Sequence, residues 1–173
     1  DLRACVSQRE VGQDTVTFES ALRAAMRQDP DVLLIGEIRD QLSMEIAVKA
    51  AETGHLVLST LHTPDVGRTV NRLLALSDNP LELRDRLSDC MMGIVAQRLV
   101  PAAQGGRACA MEILVVTGTV REAIKRPDAN PPLKELMERG VTPYGMQTFP
   151  MAFRNLAKQG KITKELAKQL LAP

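Results

Sequence analysis

The sequence has 173 residues, 45% hydrophobic and 25% charged but only 2% aromatic, which fits one medium domain, or one with a small appendage, around an aliphatic core. Its 22 basic and 21 acidic residues leave a formal charge of +1, so charge makes no case for nucleic acid or an anionic membrane as partner. No apolar run approaches the roughly 20 residues that a bilayer span requires.

Cys5, Cys90 and Cys109 are odd in number and in no metal-ligand spacing. They argue against a disulfide framework or zinc site and for a reducing, cytoplasmic setting. The chain shows no signal-peptide pattern and begins at Asp1 rather than Met, so an upstream segment is expected to have been removed or left out.

Residues 1–16 are polar and irregular. From Thr17 the pattern turns helical: Phe18, Ala21, Leu22 and Ala25 share a face, Thr17 fits an N-cap, and Glu19 with Arg23 forms an i,i+4 ion pair. Asp29-Pro30 closes this helix, because a residue before proline is pushed out of the α region. The unbroken apolar run Val32-Leu33-Leu34-Ile35 then reads as a strand buried on both faces of a parallel sheet. Residues 41–53 predict a helix with Leu42, Ile46 and Ala50 on one face, a Glu45–Lys49 pair, and Gly54 as stop. Residues 56–61 predict a second buried strand, and 65–76 a helix through Val66, Val70, Leu73 and Leu74. Strand, helix, strand, helix with short links is the order of a parallel βαβ sheet.

Residues 81–97 read as one helix with Leu83, Leu87 and Met91 in step. Residues 98–100 and 108–116, flanking Gln104-Gly105-Gly106, read as a hairpin closing one side of the sheet. Past Gly118, short helices alternate with Pro127, Pro131-Pro132, Gly140, Pro143 and Gly160. Phe149, Phe153 and Leu156 mark one apolar face there, and Ile162, Leu166 and Leu170 mark the last. The change in character places a boundary near residue 118, between an α/β core (1–118) and a helical C-terminal module (119–173).

Chemistry concentrates in two segments. In Val32-Leu33-Leu34-Ile35-Gly36-Glu37 an apolar strand ends in Gly and then an acid, which puts a carboxylate at the carboxyl edge of the sheet, where open α/β sheets bind ligands. Such a carboxylate can orient Mg²⁺ through water or polarise an attacking water; a solvated glutamate at an ordinary strand end fits the pattern equally well. Both histidines bracket the second strand, His55 before it and His62 after it. Seven extended residues span roughly 23 Å, so one subunit does not easily bring both rings to one phosphate. His62 lies at the carboxyl end and is the candidate for a terminal phosphate; His55 reads as structural or at a subunit contact. The phosphate loop G-x-x-x-x-G-K-[ST] is absent: Gly160-Lys161 is followed by Ile162, and Asn155 stands where the first Gly belongs.

Gln8-Arg9-Glu10-Val11-Gly12, Ala21-Leu22-Arg23, Asp29-Pro30-Asp31, Gly36-Glu37-Ile38-Arg39-Asp40 and Thr53-Gly54-His55 through Leu61-His62-Thr63 occur in that order. Together they resemble the secretion-type AAA-like ATPases, the hexameric motors of type IV pili and of type II and IV secretion. The first acidic segment corresponds to that family's Walker B and the second to its His box. Thr119-Val120-Arg121-Glu122-Ala123-Ile124-Lys125-Arg126 resembles, in degenerate form, a motif of the retraction branch, as do Gly145-Met146-Gln147-Thr148-Phe149 and Gly160-Lys161-Ile162-Thr163. The four-cysteine zinc module usual in assembly and type II secretion members has no counterpart in three cysteines.

The resemblance implies a RecA-like P-loop NTPase core, of which residues 1–118 are the second half, its phosphate loop lying upstream of Asp1. It implies Glu37 as the Walker B carboxylate holding Mg²⁺ through water, His62 at the phosphates of ATP, and His55 supporting the site or a subunit interface. It further implies a homo-hexamer, cytoplasmic and peripheral to the inner membrane, working on the pilus inner-membrane platform protein in retraction and twitching motility. An assembly or secretion ATPase of the same family, or a non-catalytic oligomerisation or docking module for the isolated 173 residues, remain the alternatives.

Overall fold

The computed structural model describes residues 5–172; residues 1–4 of the expected irregular stretch, and Pro173, lie outside the described residues. The chain divides after Leu61 into two compact units.

The first unit is a βαβ element with a helix before it. Thr17 caps α1 (Phe18–Ala25) in a reciprocal capping box with Ser20, and Arg23 meets Glu19 at 2.7 Å. One 3₁₀ turn (Met26–Gln28) and a left-handed Asp29 (φ 52°) lead into β1 (Val32–Ile35). Asp40 caps α2 (Gln41–Glu52) in a second box with Ser43, and Gly54 (φ 97°) turns the chain into β2 (Leu56–Ser59). The two strands pair in parallel, from Val32 opposite Leu56 to Ile35 opposite Ser59.

Two expectations are corrected here. The strands are not buried on both faces. Leu33 and Ile35 are 8% and 3% exposed, whereas Val32 and Leu34, on the opposite face, are 50% and 75% exposed. Leu56 and Leu58 share that open face by register, because side chains alternate along a strand. An apolar residue on each face marks what could be covered, and within this unit one face is covered. The buried stripe of α2 is Met44, Ala47, Val48 and Ala50, with Leu42 exposed, so the helix is rotated from the Leu42–Ile46–Ala50 face.

The second unit starts at His62. Asp65 caps α3 (Val66–Leu74), and Asn79 caps α4 (Pro80–Cys90), with proline at the first position where its missing N–H costs nothing. The helix expected to run to residue 97 stops at Cys90. Met91 turns extended and β3 (Gly93–Pro101) begins. A Cβ at Gly93 would stand 2.9 Å from the Leu114 carbonyl, so glycine permits the close pairing that opens the strand. β4 (Arg107–Val115) pairs antiparallel with β3 across the expected Gly105-Gly106 turn. Among the described residues this hairpin is a sheet of its own and not an edge of the β1–β2 pair.

Four helices follow: α5 (Gly118–Lys125), α6 (Leu133–Arg139), α7 (Phe149–Lys158) and α8 (Lys164–Leu171). Phe149, Phe153 and Ile162, expected on apolar faces, are buried, and Leu156, Leu166 and Leu170 pack against the same core; the two phenyl rings stack with centroids 5.9 Å apart. Val66, Ala96, Val100, Leu114, Val120, Ile124, Met137, Phe153 and Ile162 belong to one core, drawn from elements on both sides of residue 118. Burying each large member contributes about 1.5–3 kcal/mol. Before α7, Gln147 exchanges two backbone hydrogen bonds with Ile113, which fastens the start of that helix to β4.

Candidate functional site

Glu37 occupies the corner between β1 and α2, at the carboxyl end of the parallel pair. Thr60, one residue past β2, pins this corner twice: its hydroxyl donates to the Gly36 carbonyl at 2.7 Å and its carbonyl accepts the Ile38 amide at 3.1 Å. The Ile38 side chain is buried. Arg39 Nε donates to Glu37 Oε2 at 2.5 Å; the Glu37 side chain is 20% exposed and that of Arg39 77%. Asp40 then opens α2, its Oδ1 accepting the Ser43 amide and hydroxyl, both at 2.8 Å. Those two bonds, the backbone one first, hold the Asp40 pKa below its usual 3.8.

Each residue of Gly36-Glu37-Ile38-Arg39-Asp40 therefore has a separate structural task, and Glu37 is the one presented at the sheet edge. Asp31 is part of the strand frame, its carbonyl accepting the Leu56 amide at 3.1 Å. Among the described residues no group of three His, Cys, Asp or Glu could hold a metal by protein ligands alone. One carboxylate suits an ion such as Mg²⁺ that takes its remaining ligands from phosphates and water.

The two histidines have different settings. His55, half-buried, places Nδ1 3.1 Å from the Ala50 carbonyl and 3.1 Å from the Thr53 hydroxyl oxygen. The Nδ1–H tautomer has two acceptors there, and the ring closes the carboxyl end of α2. His62 is exposed and is the first residue of the second unit. The residues after it are firmly held. Thr63 and Thr69 join hydroxyls at 2.8 Å, Thr69 also donates to the Asp65 carbonyl at 2.8 Å, and Arg98 donates to the Pro64 carbonyl at 3.4 Å.

Sequence reasoning missed Glu112. This acid lies on the covered face of β4 between Ala110 and Leu114 and is 7% exposed. Its Oε2 accepts the Val66 amide at 2.9 Å and its Oε1 the Phe149 amide at 3.4 Å. The available signal was a single acid on an otherwise apolar alternate stripe, Ala108, Ala110, Glu112, Leu114.

Residues 4–131 match the family model described as type II/IV secretion system protein. The chain is 37% identical over 169 residues to the type IV pilus retraction ATPase PilT of Pseudomonas aeruginosa, covering 96% of this chain and 48% of that protein. It is 43% identical over 163 residues to the type IV pilus ATPase PilU of the same organism, covering 92% of this chain and 42% of that protein. A crystal structure of the pilus retraction motor PilT with bound ADP matches with a TM-score of 0.81 at 39% identity, over 96% of this chain and 47% of that one. The chain thus spans about half the length of the curated relatives it matches. Its α/β fold, with a parallel strand pair and flanking helices, is that of part of a RecA-like ATPase core. On these grounds the chain belongs to the type II/IV secretion system protein family.

Proposed function

We propose that this chain serves in a homo-hexameric motor that couples ATP hydrolysis to type IV pilus retraction and twitching motility. The observation that carries the reading is the similarity to PilT along 96% of the chain, through both segments in which chemistry concentrates. The ADP-bound relative supports a nucleotide as ligand. Glu37 is the carboxylate that would hold Mg²⁺ through water, and the ion would supply charge neutralisation at the phosphates. His62 contacts those phosphates, and His55 supports β2 from its amino end or serves a contact between subunits. The 173 residues contain no G-x-x-x-x-G-K-[ST] loop, and by themselves do not hydrolyse ATP.

Residues 119–173 act as the module that passes motion to the pilus inner-membrane platform protein. No helix among the described residues is long and apolar enough to cross a membrane. The motor works in the cytoplasm, peripheral to the inner membrane through that platform. Deleting the gene tests the reading: cells are expected to become hyperpiliated and to lose twitching. Loss of pili, or of secretion with pili intact, would contradict retraction and favour an assembly or export motor.

A further inference from the structure

A carboxylate as buried as that of Glu112 is tolerated only where donors meet it. Its two donors, the amides of Val66 and Phe149, belong to the first residues of α3 and α7, so the side chain faces the positive ends of two helix dipoles at once. Neither helix's own cap does this job. Asp65 takes the Arg68 amide at the third position of α3 and leaves the first to Glu112. Thr148, which precedes α7, has a fully buried hydroxyl that makes no hydrogen bond among the described residues. A second tie runs alongside: Arg98 donates to the Pro64 carbonyl while its guanidinium lies 4.2 Å over the Phe149 ring. The segment leaving His62 and the start of α7 are therefore held by the same two side chains of the hairpin.

We propose that Glu112 is a positioning residue that ties the segment carrying His62 to the first turn of α7, so that displacement of the C-terminal helices is felt at His62. The link itself rests on geometry within the second unit; its consequence for turnover rests on the nucleotide reading of His62. Glu112→Gln keeps the shape but turns one acceptor into a donor aimed at an N–H. Hydrogen-exchange mass spectrometry on the full-length protein is expected to show faster exchange, by about tenfold, in peptides covering 62–70 and 147–153, with 94–100 of β3 unchanged. Acceleration in neither peptide, or in only one, would overturn the link.

ATP turnover supplies a readout that a merely structural role would not give. Glu112→Gln is expected to lower kcat with KM for ATP unchanged, and to add little in a His62→Ala background, since residues acting through one another are non-additive. Equal losses in both backgrounds would overturn the positioning role. Turnover untouched by His62→Ala alone would count against the nucleotide reading, and the exchange result then decides the link. Should Glu112→Gln fail to fold, Glu112→Asp, which keeps the charge on a shorter arm, is put through the same measurements with the same expectations.

Discussion

The two units hold their candidate residues by different means. In the first, the corner around Glu37 depends on neighbours, Arg39 two residues on and the Asp40–Ser43 box, with two bonds to Thr60 just past β2. In the second, the segment after His62 depends on residues far along the chain, Arg98 bonding Pro64 from 34 residues away and Glu112 bonding Val66 from 46. Their cores differ in depth as well. The second unit fully buries Phe153, Leu114, Ile124, Met137 and Ile162, whereas the first buries Met44 to that degree and covers one face of two short strands. A local corner survives on a thin scaffold; a segment placed by distant residues needs a deep core to keep those residues in register.

Three substitutions probe this contrast. Phe153→Ala removes a fully buried ring from the deep core and is expected to cost about 3–5 kcal/mol in denaturant unfolding. A loss below about 1 kcal/mol would show that the second unit is no more tightly packed than the first.

Asp40→Ala, at the local corner, is expected to have a smaller effect and one that depends on pH. The folded-state pKa of Asp40 lies below 3.8, so its carboxylate stabilises the fold above that value and loses the contribution as pH falls through the folded pKa. Wild type and variant should differ at neutral pH and converge in acid; a gap that widens in acid would refute the capping role.

The smallest effect is expected for Leu34→Ala in the 173-residue chain, within about 0.5 kcal/mol, because Leu34 is 75% exposed on the open face. A loss of 2 kcal/mol or more, the scale of about a buried Leu truncation, would mean that face is covered in solution.

What was legible in the sequence follows the same division between near and far. The cap Thr17 and the parallel order β1–α2–β2 could be read because each depends on residues within a few positions, whereas Asp40 and Asp65 show as caps only in the structure. Glu37 was legible as an acid after a strand and a glycine, though the Arg39 and Thr60 bonds that pose it were not. The end of α4 was missed because Met91 continues the Leu83–Leu87 step, while the pairing of Gly93 with Val115 that starts β3 lies across the hairpin. Which face of β1 is covered, and which stripe of α2 turns inward, depends on packing that an all-apolar run does not encode. Glu112 shows in sequence only as a misplaced acid, because its two partners are helix starts 46 and 37 residues away.

We propose Glu37 as a working carboxylate at a nucleotide site. Its most direct test is steady-state phosphate release from ATP by the full-length protein carrying Glu37→Gln, with folding and oligomeric state checked against wild type. Loss of a group that acts on the transferring phosphate should lower kcat by about a hundredfold or more. Turnover equal to wild type in a correctly assembled Glu37→Gln protein would rule out that role for Glu37.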